Sequence, residues 1–534
     1  MKNKISVSGI EGIIWIIYCV LIQNFASDCG MGLMGSAFCL TAFLFVFFTA
    51  GMRETIAKMV SIRMHRGMHG NVKKIFKRSM IYVVTIGIFL CVVAFLFADG
   101  VCNFVFASDY AAILVKLLCV VFFFYGITET INGYYMGIGN SAPVYIGLAI
   151  KSVILFVAGP LCMYFMKGYG QKVSALLNND LFIWLYIALA ACVVQIIAFG
   201  INILFLLVVY SRVTDHVSVG NKDSMPRKVE SEKRLIRTLT GLRIRVAFRE
   251  MLLFVVVLVI NYLYVKGFDK SVTTTRDVFV HLGIIYGKLL LPILFVLTIF
   301  KEYCVSEKFR LHAEHTREEK RIMALRLQYM IKNTGFLLMP IVLILIVLSK
   351  PFVTSVFSGD VILTMKVFPF SVPLIFLFGL CLMLQSACIA IEYKKVNSII
   401  TFVSVLVYMI TSVLLLKNAS MMSLIISMYI FCFIFILAHI IVIQNYARMD
   451  WMDILSKYIK IIISGIAVIV LELILNHFVQ MNLFLFALSL VLGYFIYYIV
   501  MIVLRGISKK DAQSIKGTIT YIPVSFIAEK LGIW

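Results

Sequence analysis

VFASDYAAILVK (105–116) and VFSGDVILTMK (356–366) are two versions of one stretch, and the rest of the chain is arranged around that echo. Asp109 lies 251 residues before Asp360, and Lys116 lies 250 before Lys366. Upstream, Arg53-Glu54 and Lys301-Glu302 each follow an apolar run, while Arg78 and Gly87 return as Arg326 and Gly335; all of these pairs share an offset of 248 residues. Composition alone would match Leu with Ile or Phe, but the matched positions here are charged residues and glycines, which composition does not supply. Each copy reads as apolar segment, basic amphipathic connector, apolar segment, short loop ending in Asp, then a long apolar segment opened by Lys. A duplicated helical bundle is a common plan of secondary transporters, which move one half against the other around a site between them.

The composition places this duplication in a bilayer. With 534 residues, 62% of them hydrophobic and only 14% charged, and a mean hydropathy of +1.01, the chain has more apolar surface than a soluble core of that length can bury. A net charge of +23 would suggest nucleic acid in a soluble protein, but the basic residues fall in alternate loops, so no nucleic-acid partner is expected.

Apolar runs of 17 residues or more, broken by charges or turn residues, predict about fourteen transmembrane helices, since roughly 20 residues cross a hydrocarbon layer of about 30 Å. The expected class is an all-α integral membrane protein of two pseudo-repeated six-helix lobes plus two C-terminal helices. The boundaries are an N-lobe over 1–210, a basic linker over 211–249, a C-lobe over 250–446, helices 13 and 14 over 447–504, and a tail over 505–534. Lys plus Arg number eight in 52–78, ten in 211–249, eight in 301–334 and five from 505 onward. They number none in 98–111 and 351–364, and two each in 167–180 and 267–277. This asymmetry puts the basic connectors and both termini on the cytoplasmic side of the cell membrane. The start, MKNK before an apolar run, mimics a signal peptide, but the first helix is needed to complete the repeat, so cleavage is not expected.

LIRTLTGLRIRVAF (235–248) interleaves apolar and basic residues, which suits a helix lying in the anionic inner leaflet before the seventh span; the tail from Gly506 to Trp534 has the same character. The twelve cysteines form no CxxC pair and mostly lie inside apolar runs. Cys29 and Cys102 fall in segments expected outside, where a disulfide between them is conceivable.

Four stretches resemble a known family. TAGMRETIAKMVS (49–61) resembles the end of helix two in polysaccharide-type flippases related to stage V sporulation protein B, and ETINGYYMGIGNSAPV (129–144) is similar to that family's segment after helix four. IYGKLLLP (285–292) and MLQSACIAIEYKKVNSII (383–400) add weaker support. The resemblance covers nearly the whole chain in topology and these patches in residues. It implies the multidrug/oligosaccharidyl-lipid/polysaccharide (MOP) exporter superfamily, with two six-helix lobes, a central cavity, two extra helices and alternating access. Met52-Arg53 stands where the family usually has isoleucine-proline, Asn132 where it has arginine, and FKEYCVSEKF (300–309) replaces its proline-isoleucine-serine segment. These departures favour a divergent polysaccharide or lipid-linked glycan exporter over the lipid II branch.

Charges within spans mark candidate site residues, because each costs roughly 2.5–3.5 kcal/mol to insert at mid-bilayer and so faces the bundle interior or water. Lys288 is the outstanding one, about ten residues into the eighth span, with Gly287 before it and Pro292 after it; a proline there can open the helix. It either lines a substrate path or neutralises a carboxylate such as Glu129. Arg53, Glu129, Asn132 and Lys151 lie nearer the cytoplasmic side, where snorkelling is an alternative. Lys116 and Lys366 are matched near the outer ends of helices four and ten, as vestibule lining or headgroup anchors. Glu472, outside both repeats, reads as a packing or partner residue. His65/His69 and His312/His315 have helical spacing but no Cys or HExxH context, so no metal is expected. No P-loop and no Ser/His/Asp or paired-carboxylate arrangement is present, so the chain is not expected to be an enzyme.

The expected function is translocation of a lipid-linked anionic oligosaccharide or polysaccharide precursor by alternating access, without a cofactor but with a possible coupling ion, Na+ or H+. Membrane lipid and the lipid-linked glycan would be its ligands, and glycosyltransferases or a polymerase its partners. The alternatives are a cation-coupled drug or small-molecule antiporter of the same superfamily, a membrane glycan polymerase or glycosyltransferase, or a scaffold.

Overall fold

The computed structural model describes residues 6–219, 231–267, 275–317, 320–416, 420–478 and 483–506. The described residues are helical, with no strand among them. They fall into two compact units, Leu21–Gly287 and Met1–Val20 with Lys288–Trp534. The unit boundaries depart from the sequence lobes 1–210 and 250–446. They cut helices near residues 20 and 287, and the seventh span goes with the first unit because it packs on helices of that unit.

Leu21–Gly287 holds most of α1 (Val7–Thr49), then α2 (Met52–His65), α3 (His69–Phe106), α4 (Tyr110–Gly137), α5 (Ala142–Leu177), α6 (Leu181–Val219), α7 (Glu232–Gly267) and α8 (Thr275–Gly283). α1 has 43 residues, a rise of about 64 Å and twice what a bilayer needs. It is broken at Ser27 (φ 55°, ψ −171°), which leaves one span-length piece on each side. Gly51 then separates α1 from α2 in left-handed geometry (φ 65°), a conformation glycine adopts without Cβ strain. Among the described residues twelve helices are long and apolar enough to cross a membrane, the first running from Val7 to His65, and Phe254–Gly267 is a shorter apolar helix. The fourteen expected segments map onto these twelve, the first counted as two, and Phe254–Gly267. This is a multi-pass membrane protein.

Glycines set the helix contacts in this unit. A Cβ at Gly87 would lie 2.4 Å from the Phe123 ring of α4, and one at Gly133 would lie 2.8 Å from the backbone oxygen of Arg53. Gly133 and Gly137 therefore form a small-residue face that lets the α4 backbone approach α2 closely, which explains GYYMG within the 129–144 stretch. Outward, α3 carries Phe89, Phe95, Leu96 and Phe97, exposed as a lipid-facing surface should be.

The basic linker corrects an expectation. LIRTLTGLRIRVAF is not a separate helix; it is the first half of the continuous 36-residue α7 that leads into the apolar Phe254–Gly267 segment. Leu235, Leu239, Arg243 and Ala247 recur every four residues and are all buried. Arg243 donates from Nε to the carbonyl of Ala50 (3.2 Å) and from Nη2 to that of Phe47 (3.0 Å), satisfying the open carbonyl end of α1. Protein packing thus accounts for one face of the interleaved pattern, while Ile236, Leu242, Ile244 and Phe248 stay exposed on the other. Cys29 and Cys102 also differ from expectation: both are buried free thiols within helices α1 and α3.

A π-helical turn, Ile284–Leu289, spans the unit boundary and leads into α9 (Leu290–Thr316) of the other unit. There follow α10 (Lys320–Val347), α11 (Ser349–Val356), α12 (Val361–Met365), α13 (Phe368–Ser371), α14 (Leu374–Ala390), α15 (Lys394–Leu415), α16 (Met421–Tyr446), α17 (Trp451–Phe478) and α18 (Leu483–Val503). Gly335, the repeat partner of Gly87, again makes room for an aromatic ring: its Cβ would lie 2.7 Å from Tyr458 of α17. The basic end of this unit is tied by ion pairs. Buried Glu307 accepts from Arg310 (2.8 Å), Arg326 bonds Glu314 (2.8 and 3.0 Å), and Lys332 of α10 pairs with Asp453 of α17. Glu302 accepts from the backbone N–H and the hydroxyl of Ser6 (3.1 and 2.6 Å), closing the start of α1.

Candidate functional site

The first-unit site begins at the glycine break. With Gly51 turning the chain, Arg53 enters α2 on the side that faces α4, and the Gly133 contact brings the two backbones together. One helical turn before Gly133 on α4 stands Glu129. Arg53 Nε donates to Glu129 Oε1 at 3.0 Å, Nη2 bonds the same oxygen, and each residue is 5% exposed. A carboxylate and a guanidinium this deep are stable only as a pair, because either alone would retain the desolvation cost of a buried charge. Asn132, also buried, sits three residues on; its Oδ1 has no hydrogen-bond partner among the described residues. The structure thus brings Arg53 and Glu129 together and places Asn132 beside them on α4. Lys151 is elsewhere, buried on α5 with its ammonium 4.6 Å above the ring of Phe199 on α6, a cation–π contact.

The second site is built by the π turn. Pro292 has no N–H to offer the carbonyl of Lys288, its i−4 residue, and the helix widens just before it. Lys288, in this turn, is fully buried. Its Nζ donates to the carbonyl oxygen of Asp360 and to Thr364 Oγ1, both at 3.3 Å. These distances exceed the 2.7–2.9 Å usual for charge-assisted bonds, so the two contacts hold the ammonium loosely. Asp360 itself caps α12, accepting from Leu363 N at 2.8 Å, and Thr364 donates back to the Asp360 carbonyl. The echoed VFSGDV stretch therefore supplies the oxygens around Lys288. Glu129, named as an example of a carboxylate that Lys288 could neutralise, is bonded to Arg53.

The outer lysines take separate roles. Lys116 bridges both oxygens of Asp99 (2.9 and 2.8 Å) at the surface, and Lys366 is an exposed residue closing α12. The histidines have ordinary partners: His312 Nδ1 lies 3.0 Å from the Ala390 carbonyl and His315 Nδ1 lies 2.7 Å from the Tyr446 hydroxyl.

One feature of α8 escaped the sequence reading. A Cβ at Gly283 would lie 1.7 Å from the carbonyl oxygen of Asp28, and one at Gly287 would lie 2.0 Å from Gln23 Oε1. Gln23 and Asp28, both buried, are joined by a 2.7 Å hydrogen bond across the Ser27 break. The signal was present as GIIYG (283–287), a GxxxG spacing that permits backbone contact.

No family model and no curated protein matches this sequence. Solved structures do match. The lipid II flippase MurJ in an inward closed conformation superposes with a TM-score of 0.63 at 15% identity, covering 93% of this chain and 98% of that one. The chain has the MOP-superfamily fold. An inward-facing multidrug resistance MATE transporter of the MOP superfamily gives a TM-score of 0.61 at 12% identity, over 82% of this chain and 95% of that one. A MOP superfamily transporter from Pyrococcus furiosus gives 0.54 at 12% identity over 82% and 95%. At these identities the likeness establishes architecture, and it agrees with the MOP resemblance of the 49–61 and 129–144 stretches.

Proposed function

We propose that this chain is a MOP-type flippase that moves a lipid-linked anionic oligosaccharide or polysaccharide precursor across the cytoplasmic membrane by alternating access. The observation that carries the reading is coverage: the MurJ match extends over 93% of the chain and the MATE match over 82%. That difference, about 59 residues, is close to the 53 residues of the 451–503 segment holding α17 and α18. Lys288 supports an anionic ligand. It is a fully buried cation that meets neutral oxygens at 3.3 Å, and phosphate oxygens can approach an ammonium at shorter, charge-assisted distance. In this reading the polar headgroup is carried through the protein, the lipid tail stays in the bilayer, an Na+ or H+ gradient can drive the cycle, and membrane glycosyltransferases or a polymerase supply and consume the substrate.

A cation-coupled small-molecule antiporter is the second reading, favoured by the nearly equal TM-score of the MATE structure. The full chain reconstituted in proteoliposomes separates them. A fluorescent polyprenyl-pyrophosphate-linked oligosaccharide should become accessible to an impermeant quencher on the opposite leaflet only when the protein is present. Gradient-driven efflux of a cationic dye with no movement of the glycan lipid would replace the first reading by the second.

A further inference from the structure

Glu472 lies on α17 in an apolar run, VIVLELIL (468–475), and is fully buried. Neither of its carboxyl oxygens receives a hydrogen bond from any described residue. It faces α18 where that helix has no side chain: a Cβ at Gly493 would lie 2.8 Å from Glu472 Oε1 and 2.9 Å from Ile344 Cδ1 of α10. Phe486, Ser489, Gly493 and Tyr497 recur at spacings of three and four on α18, so one face of that helix meets this junction. The hydroxyl of Ser489 is the polar group that reaches the carboxyl. Its hydrogen is already given to the carbonyl of Phe486, at 2.9 Å. While that bond is made, Ser489 offers Glu472 a lone pair; turned the other way, the same hydroxyl would donate to an ionised carboxylate. An ionised carboxylate can bond there only by drawing the Ser489 hydrogen away from the Phe486 carbonyl, whereas a carboxylic acid has a hydrogen of its own to donate and leaves that bond intact.

The charged and titratable groups of the surrounding helices do not change this. Along α17, Asp453 pairs with Lys332, Lys457 and Lys460 lie twelve or more residues earlier, and His477 lies five residues later. On α18 the buried Tyr497 and Tyr498 pack against Phe336. From α10, Ile344 meets the site, and Lys332 is twelve residues away along that helix. Lys350 on α11, which also contacts α18, is exposed. A hard metal cation takes about six oxygens, and the carboxyl with Ser489 supplies three at most.

We propose that Glu472 is a proton-binding site: its carboxylate takes one proton from water, and the resulting acid donates its O–H to Ser489 Oγ between α17 and α18. An uncompensated charge at this depth would disfavour the packing seen here, so the bound proton sets the seat of α18 on α17 and α10. The site is independent of the substrate assignment above.

The test is infrared difference spectroscopy of the full chain in proteoliposomes, wild type against Glu472→Gln and Glu472→Asp. Near pH 7, the wild-type spectrum should contain a protonated-carboxyl carbonyl stretch that vanishes in Glu472→Gln and shifts in Glu472→Asp. Ser489→Ala, which removes the acceptor, should move the band to higher frequency. Thermal stability of Glu472→Gln should match wild type, because Gln is neutral and of similar shape. An unchanged spectrum in both Glu472 variants would overturn the proposal, as would a sodium-dependent rise in melting temperature that Glu472→Gln abolishes.

Discussion

Breaking the Arg53–Glu129 pair tests whether the first-unit site is held by mutual neutralisation. Both residues are 5% exposed, and Nε and Nη2 of the arginine converge on one carboxylate oxygen. Arg53→Met removes the cation but keeps an unbranched apolar stem, leaving Glu129 charged and buried; Glu129→Leu does the reverse. Each single change should cost about 3–5 kcal/mol, the penalty of an uncompensated buried charge. The double variant leaves no charge, and its apolar side chains roughly fill the volume, so its stability should return to within about 2 kcal/mol of wild type. Summing the single losses would predict about 6–10 kcal/mol for the double variant, so the non-additivity is large enough to read from melting curves alone. The assay is fluorescence-detected size-exclusion chromatography of the full chain after a temperature ramp in detergent. The reasoning fails if the double variant melts lower than both singles, since geometry and hydrogen bonding, not charge balance, would then hold α2 against α4.

For Lys288, substitution by Ala should abolish glycan-lipid flipping while leaving expression and melting temperature close to wild type, because losing two 3.3 Å contacts is offset by relief of a buried ammonium. Arg should retain partial flipping and Glu should be worse than Ala, since a negative charge repels an anionic headgroup; full transport by Lys288→Ala would remove the residue from the site. Gly283→Ala should lower stability by about 1–3 kcal/mol or more, because its Cβ would fall 1.7 Å from a backbone oxygen that no rotamer change can move; an unchanged melting temperature would disprove the close contact. Cysteines introduced at the exposed Ala107 and at Ser358 should react with an impermeant maleimide added to intact cells, and one at Ser224 in the basic linker should not. Labelling at Ser224 would invert the orientation.

Fold class was legible because the information is local. A span announces itself in about 20 consecutive apolar residues, and the positive-inside asymmetry gives an expected direction without knowledge of any partner. Lys288 was legible as a candidate for the same reason: a lysine within an apolar run, five residues after one glycine of a GxxxG pair and four before a proline, is anomalous wherever the chain goes. What lies around that lysine was not legible. Two of its oxygens arrive from 72 and 76 residues away, and Glu129, the example offered under the ion-pair alternative, is bonded to Arg53. Linker 235–248 shows the ambiguity plainly, since a stripe of apolar and basic residues serves a lipid surface or a protein groove equally well; the buried Arg243, reaching the carbonyls that end α1, shows that one of its faces meets a groove. Sequence by itself determined which segments are long and apolar enough to enter a membrane, because transfer from water to hydrocarbon is a property of each segment. Tertiary structure alone decided which buried charges meet and which stand apart, because the energy of a charge in a low-dielectric interior depends on the few ångströms to its neighbours, and those neighbours come from distant parts of the chain.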